Sequence, residues 1–128
     1  MPTKTRFDPE AMLPLTPLSF HILLALADDD RHGYGIIKEV RERTNGETNP
    51  GAGTLYAAVQ RMLDDGLITE TSDRPATGDD ERRRYYRLSP LGRQVARAEA
   101  LRLARVIRIA SDKKLIPELR FASGRTPE

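Results

Sequence analysis

The side chains best suited to chemistry lie between two chain breaks, the Pro50-Gly51 pair and Gly66. Gln60 and Arg61 are the long polar residues of this stretch, and amide and guanidinium groups pair well with the edges of nucleic-acid bases. At about 100° per residue, one face of a predicted helix is small or polar and the other is apolar. The polar face holds Gly53, Thr54, Ala57, Gln60, Arg61 and Asp64, and the apolar face holds Leu55, Ala58, Val59, Met62 and Leu63.

The polar face of this helix suits a grooved partner. Its first two turns carry no bulky side chain, and Tyr56 at its edge can offer a hydroxyl outward. We interpret the stretch as a recognition helix for the major groove of DNA, with Gln60 directed to adenine and Arg61 to guanine. An ordinary amphipathic helix with a solvated face would give the same pattern, so the neighbouring elements must decide.

Two more helices are predicted before this one. Thr16 and Pro17 form a cap and first position for an apolar helix that should lie at the centre of the domain. A second helix opens at His32 and ends at Asn45-Gly46, with Lys38 on its polar side. Helices of this length joined by a short glycine-containing turn match the helix-turn-helix pattern.

A β-hairpin is predicted after the third helix. Residues 67–72 are β-branched and roughly alternating, residues 73–81 form a polar loop, and residues 82–88 form the returning strand. Three helices followed by a hairpin indicate a winged helix-turn-helix, so the predicted fold class is mainly α with a small β-hairpin (α+β). Phosphate contacts are expected from Thr54, Tyr56, Lys38, Arg82, Arg83 and Arg84.

Arginine is concentrated beyond residue 81. Nine arginines and one acid, Glu99, lie between Arg82 and Arg108, a net charge of +8. Such a block suits a polyanion, although beyond Arg93 a solvated helix face explains it equally well. One long helix is expected over residues 89–115, and because little chain is left to cover its apolar side, a two-fold dimer should bury it. The expected interface residues are Leu91, Val95, Leu103, Val106, Ile107 and Ala110.

Composition excludes several classes of protein. The chain has 128 residues, 38% of them hydrophobic and 31% charged, which is about one domain. Cysteine is absent, so disulfides and thiolate metal sites are excluded. No apolar run is long enough to cross a bilayer and no signal peptide is recognisable at the N-terminus, so we expect no membrane partner and a cytoplasmic location.

Catalytic and metal-binding interpretations are the weakest. The acids at 28–30 lie next to His32, but adjacent carboxylates on a turn diverge, and a solvated turn explains them better than a cation site. His21 lies within an apolar helix and is expected to pack there. No nucleophile and base have a recognisable spacing, so neither an enzyme nor a cofactor is predicted.

Four motifs together resemble the PadR-like transcriptional regulators. They span residues 15–92 in order and are His32-Gly33-Tyr34, Gly53-Thr54-Leu55-Tyr56, Asp65-Gly66-Leu67-Ile68 and Tyr85-Tyr86-Arg87-Leu88-Ser89-Pro90-Leu91-Gly92. The resemblance implies a cytoplasmic, homodimeric bacterial repressor with an N-terminal winged helix-turn-helix and a single C-terminal dimerisation helix. The chain departs from the family at Ala57, where a proline is common, and in its acidic wing tip.

The sequence thus predicts a regulator that binds an inverted-repeat operator through residues 53–65 and a wing at 67–88. The expected organisation is a flexible arm (1–15), a DNA-binding domain (16–88), a dimerisation helix (89–115) and a flexible tail (116–128). An effector is left unidentified, and the direction of regulation is open. A winged-helix module that binds an acidic protein instead of DNA is the alternative.

Overall fold

A computed structural model describes residues 8–71 and 84–117. The elements, in chain order, are a short 3-10 helix η1 (Pro9–Met12), α1 (Pro17–Ala25), β1 (Arg31–His32), α2 (Gly33–Arg43), α3 (Ala52–Asp64), β2 (Ile68–Thr71), β3 (Tyr85–Leu88) and α4 (Pro90–Asp112). Within these ranges the architecture is α+β, as predicted: four α-helices with a small antiparallel sheet.

The helix starts follow the predicted capping chemistry. Thr16 Oγ1 accepts a hydrogen bond from the Ser19 N–H at 3.1 Å, and Pro17 occupies the first position of α1. Ser89 Oγ does the same for the Gly92 N–H at 2.9 Å, again with a proline following. Both caps satisfy amides that the first helical turn leaves unpaired.

The core lies where α1, α2 and α3 meet the sheet and the first half of α4. Its fully buried side chains come from every layer: Ile22, Leu23, Ile36, Val40, Leu55, Val59, Ile68 and Val95. Helix α1 is central, as predicted, although its Leu24 remains 44% exposed. This core holds α2 and α3 in the helix-turn-helix arrangement.

The sheet contains a strand that the sequence did not predict. Its order is β1-β3-β2, both pairings are antiparallel, and Ile68 lies opposite Leu88 in the predicted hairpin. The additional strand β1 is only two residues long and pairs Arg31 with Tyr86. The predicted loop at 73–81, together with Arg82 and Arg83, lies outside the described residues.

The N-terminal segment differs from its prediction as a flexible arm. Residues 8–15 contain η1, which Asp8 caps and which packs on α4, while Met12 and Leu13 pack against the core. The Leu15 N–H donates to Glu99 Oε2 at 3.1 Å, which joins this segment to α4. The prediction was wrong for these residues because their partner lies 84 positions along the chain. Residues 1–7 and 118–128 lie outside the described part.

Candidate nucleic-acid interface

Helix α3 presents the predicted polar face to solvent. Its buried side consists of Leu55, Ala58, Val59 and Met62, each at most 3% exposed. The opposite side is exposed throughout and comprises Gly53, Thr54, Tyr56, Ala57, Gln60 and Arg61. These six predicted residues therefore share one accessible helix surface. Lys38 is also exposed, on the helix α2 that packs against α3.

Tyr56 is positioned by Gly33. A side-chain carbon at Gly33 would overlap the Tyr56 ring and hydroxyl, so glycine is required for α3 to lie this close to the start of α2. The neighbouring His32 caps α2, with Nδ1 accepting from the Gly35 N–H at 3.1 Å, and its ring meets Tyr85 edge to face. Two of the four sequence motifs thus form one contact.

Gln60 and Arg61 differ in their surroundings. Gln60 Nε2 donates to Asp64 Oδ1 at 3.1 Å, one helical turn further on. The described part of the chain shows no hydrogen bond or ion pair for Arg61, whose guanidinium is exposed. The Gln60 amide is therefore held by a hydrogen bond within the helix, whereas the Arg61 guanidinium can reorient toward a ligand.

The C-terminal end of α3 is fixed to the start of α4. Gly66 adopts a positive φ of 80°, and the Leu67 N–H returns to the Met62 carbonyl at 2.9 Å, which closes the helix as a Schellman motif. Ser89 then donates its N–H to the Leu67 carbonyl and its hydroxyl to that of Gly66. The remaining two motifs therefore also meet, and they lock α3 against the hairpin and α4.

Most described arginines of the basic block have partners within the chain. Arg84 lies 3.4 Å from Glu70 across the hairpin, and Arg87 pairs with Asp30 at 2.9 Å. Arg93 donates to the Ala27 carbonyl at 3.1 Å. The charge of these three arginines is partly neutralised or used in packing, so they are weaker polyanion contacts than the density of arginine in the sequence indicates. Arg84 is the wing arginine that the described residues include, and it is exposed.

Helix α4 carries a buried charge at its middle. Glu99 is 2% exposed, and its carboxylate accepts two hydrogen bonds from Arg102, at 2.7 and 3.0 Å, besides that from the Leu15 N–H. The Arg102 hydrogen bonds, helped by that of Leu15, hold the pKa of Glu99 below its ordinary value although burial opposes this. The same pairing raises the pKa of Arg102. Glu99 thus remains ionised while linking the N-terminal segment to α4.

Beyond this charge, α4 exposes an apolar surface. Val106 and Ile107, which the sequence predicts at a dimer interface, are 50% and 41% exposed in the protomer, and Leu101 and Ile109 are exposed as well. Leu103 and Ala110 are intermediate, whereas Leu91 packs against the protomer's own core. Val95 is fully buried within the protomer, so its expected place in a dimer interface is wrong. The helical period identified the apolar side but not where the domain stops covering it.

The motifs and the geometry now identify the family. The sequence model of the transcriptional regulator PadR-like family matches residues 22–98, more than half of the chain. The chain belongs to the PadR-like family. The match runs from α1 into α4 and so contains all four motifs and the exposed face of α3.

A solved structure from the family and two curated proteins are similar to this chain. A PadR family transcription regulator from Clostridium difficile R20291 superposes with a TM-score of 0.65 at 28% identity, over 76% of this chain and 97% of that one. An uncharacterised protein of Lysinibacillus sphaericus is 35% identical over 56% of this chain and 64% of its own length. The Escherichia coli transcriptional regulator YqjI is 38% identical over 38% of this chain. This chain spans less than a quarter, 23%, of YqjI.

The described residues contain neither a candidate metal site nor a candidate membrane-spanning helix. They contain no cluster of His, Asp and Glu that could hold a metal ion, and Asp28 and Asp30 form ion pairs with Arg31 and Arg87. Within the same ranges, no helix is both long and apolar enough to cross a membrane. The sequence did not reveal that Glu99 is a buried hydrogen-bond acceptor or that Gly33 lies against the Tyr56 ring. Both contacts join residues that are distant in sequence.

Proposed function

We propose that this protein is a homodimeric transcriptional regulator that binds an inverted-repeat DNA operator and represses transcription. The exposed polar face of α3, positioned by the burial of Leu55, Ala58, Val59 and Met62 behind it, carries this proposal. The match to the transcriptional regulator PadR-like family supports this proposal, and a regulator that acts on DNA would work in the cytoplasm.

Helix α3 would lie in the major groove. Its small residues Gly53, Thr54 and Ala57 let the backbone approach the duplex, and an α-helix fits the width of that groove. Gln60 and Arg61 would contact base edges, with guanine the favoured partner of Arg61. Contacts to phosphates, which fix register, would come from Thr54, Tyr56, Lys38 and the wing residues Arg82, Arg83 and Arg84.

Dimerisation would come from the outer half of α4. Its exposed Val106, Ile107 and Ile109 form an apolar surface on a helix that extends past the core, and a second copy can cover it by two-fold symmetry. Two α3 helices about 34–36 Å apart would then meet successive major grooves on one side of the duplex. An effector that changes the angle between the two protomers would alter this spacing and release the operator.

A titration with DNA tests the proposal. Duplex from upstream of the protein's own gene and a scrambled duplex are compared by fluorescence anisotropy at several salt concentrations. Arg61→Ala should weaken operator binding by about 1–3 kcal/mol and scrambled-DNA binding much less, because a base contact is lost. Arg97→Ala, which removes an exposed arginine from α4 instead, is the control for charge alone.

Each result separates the alternatives. An equal loss on both duplexes would show that Arg61 contacts phosphate rather than a base. No binding to either duplex at physiological salt would reject the DNA-binding proposal. It would favour the winged-helix module that binds an acidic protein.

A further inference from the structure

The hydrogen bond between Gln60 and Asp64 determines which edge Gln60 can offer to a base. An ionised carboxylate only accepts hydrogen bonds, so the group that faces Asp64 Oδ1 at 3.1 Å must be the amide NH2 of Gln60. Within the described residues, Gln60 Oε1 accepts no hydrogen bond. The carbonyl oxygen and the second amide hydrogen therefore remain available together.

That remaining edge matches one base. Adenine presents an N6 donor and an N7 acceptor side by side in the major groove, and a glutamine amide pairs with both when its oxygen and one N–H point the same way. Guanine presents two acceptors there, which would oppose Gln60 Oε1. A flipped amide would suit guanine no better, because it would place Gln60 Oε1 against Asp64.

Apart from this hydrogen bond, an acid at position 64 is unfavourable both for the helix and for DNA binding. It is the last residue of α3, where the helix dipole disfavours an acid, and its exposed charge lies on the surface that would face phosphates. Gln–Asp pairs one turn apart stabilise a helix only slightly, so the bond contributes little to folding. Its consequence is to restrict one side chain on the α3 surface.

We propose that Asp64 is a positioning residue that orients the Gln60 amide for adenine and so sets base preference at one operator position. This inference rests on the proposed DNA binding. It assigns Asp64 two opposite effects: its charge weakens binding to any duplex, while its hydrogen bond sharpens selection at the base that Gln60 contacts.

The test selects bound duplexes from a pool with randomised half-sites and sequences them for each protein. Gln60→Ala identifies the position whose preference depends on Gln60, where wild type should favour adenine by about fivefold to a hundredfold. Asp64→Ala should lower that ratio by about two- to tenfold, since the amide is no longer immobilised. On random duplex, Asp64→Ala should bind about two- to fivefold more tightly, because one exposed repulsive charge is gone.

Asp65→Ala is the matched control. Asp65 is exposed, carries the same charge one residue further on, and forms no side-chain hydrogen bond with the described residues. Its removal should tighten binding to all duplexes and leave the adenine ratio unchanged. An adenine ratio unaltered by Asp64→Ala, or altered equally by Asp65→Ala, would overturn the inference while leaving DNA binding intact. A pool that shows no enrichment at all would overturn the proposed function and the inference with it.

Discussion

Helices α3 and α4 both have an apolar side, but the protomer covers most of that side in α3 and only the first half of it in α4. Leu55, at the first turns of α3, is fully buried, whereas Val106 in the outer half of α4 is 50% exposed. The orientation of α3 is thus fixed when the monomer folds. The outer half of α4 leaves its apolar surface exposed in the protomer, and the proposed second copy would cover it.

The largest expected effect concerns the buried side of α3. Leu55→Ala should lower the free energy of unfolding by about 2–5 kcal/mol, because it leaves a cavity in a closed core. The measurement is urea unfolding followed by circular dichroism at two protein concentrations. The loss should be the same at both concentrations, since the contacts broken lie within one protomer.

Val106→Ala tests the exposed apolar surface of α4 in the same way that Leu55→Ala tests the buried side of α3. Its effect on the free energy of unfolding should vary with protein concentration, because a dimer contributes to stability by mass action. A concentration-independent effect of Val106→Ala, with no change in sedimentation, would contradict the contrast between the two helices.

The next largest effect concerns Glu99, the buried carboxylate at the end of the half of α4 that packs on the core. Glu99→Ala removes the acceptor shared by the Leu15 N–H and Arg102, and Arg102 is itself 37% exposed. We expect a loss of about 2–3 kcal/mol in the free energy of unfolding, less than for a fully buried pair. Hydrogen exchange at the Leu15 amide should become faster at the same time. Unchanged exchange there would show that the N-terminal segment is held by Met12 and Leu13 alone.

The pH dependence follows from the direction of the Glu99 shift. Its pKa is lower in the folded state, mainly through the Arg102 hydrogen bonds. The stabilisation is therefore fully present above the unfolded value of about 4.3 and is lost as pH falls through the lower folded value. Glu99→Gln should make the free energy of unfolding depend less on pH in the acid range, while its side-chain oxygen still accepts a hydrogen bond from the Leu15 N–H. The measurement is urea unfolding at a series of acid pH values. An equal slope in wild type and Glu99→Gln would assign it to other carboxyls.

The contrast between α3 and α4 also explains what the sequence could predict. Caps, stops and helical period are local, so Thr16, Ser89, Gly66 and the two faces of α3 were predicted correctly. They depend on residues within a turn or two. The polar face of α3 followed from the period alone, because the apolar residues on the other side are buried, or in the case of Leu63 partly buried.

The features that sequence could not predict depend on distant contacts. Strand β1 is two residues long and exists through pairing with β3, more than fifty positions away. Val95 and Val106 occupy the same side of α4, yet one is buried and the other exposed, because the core ends between them. The acceptor role of Glu99 depends on Leu15 and gives no signal in the spacing of neighbouring residues.

The smallest expected effect lies on the α3 surface itself. Tyr56→Phe keeps the ring that rests on Gly33 and removes only the hydroxyl, so stability should hardly change. If that hydroxyl binds a phosphate, DNA affinity should fall by about 0.5–1.5 kcal/mol, equally on operator and scrambled duplex. Tyr34→Phe, at a 66% exposed position on α2, is the control. A loss of affinity confined to the operator would show that the Tyr56 hydroxyl contacts a base rather than a phosphate. That outcome would extend the base-contacting surface of α3 by one turn toward its N-terminus, to the edge where Gly33 already fixes the ring.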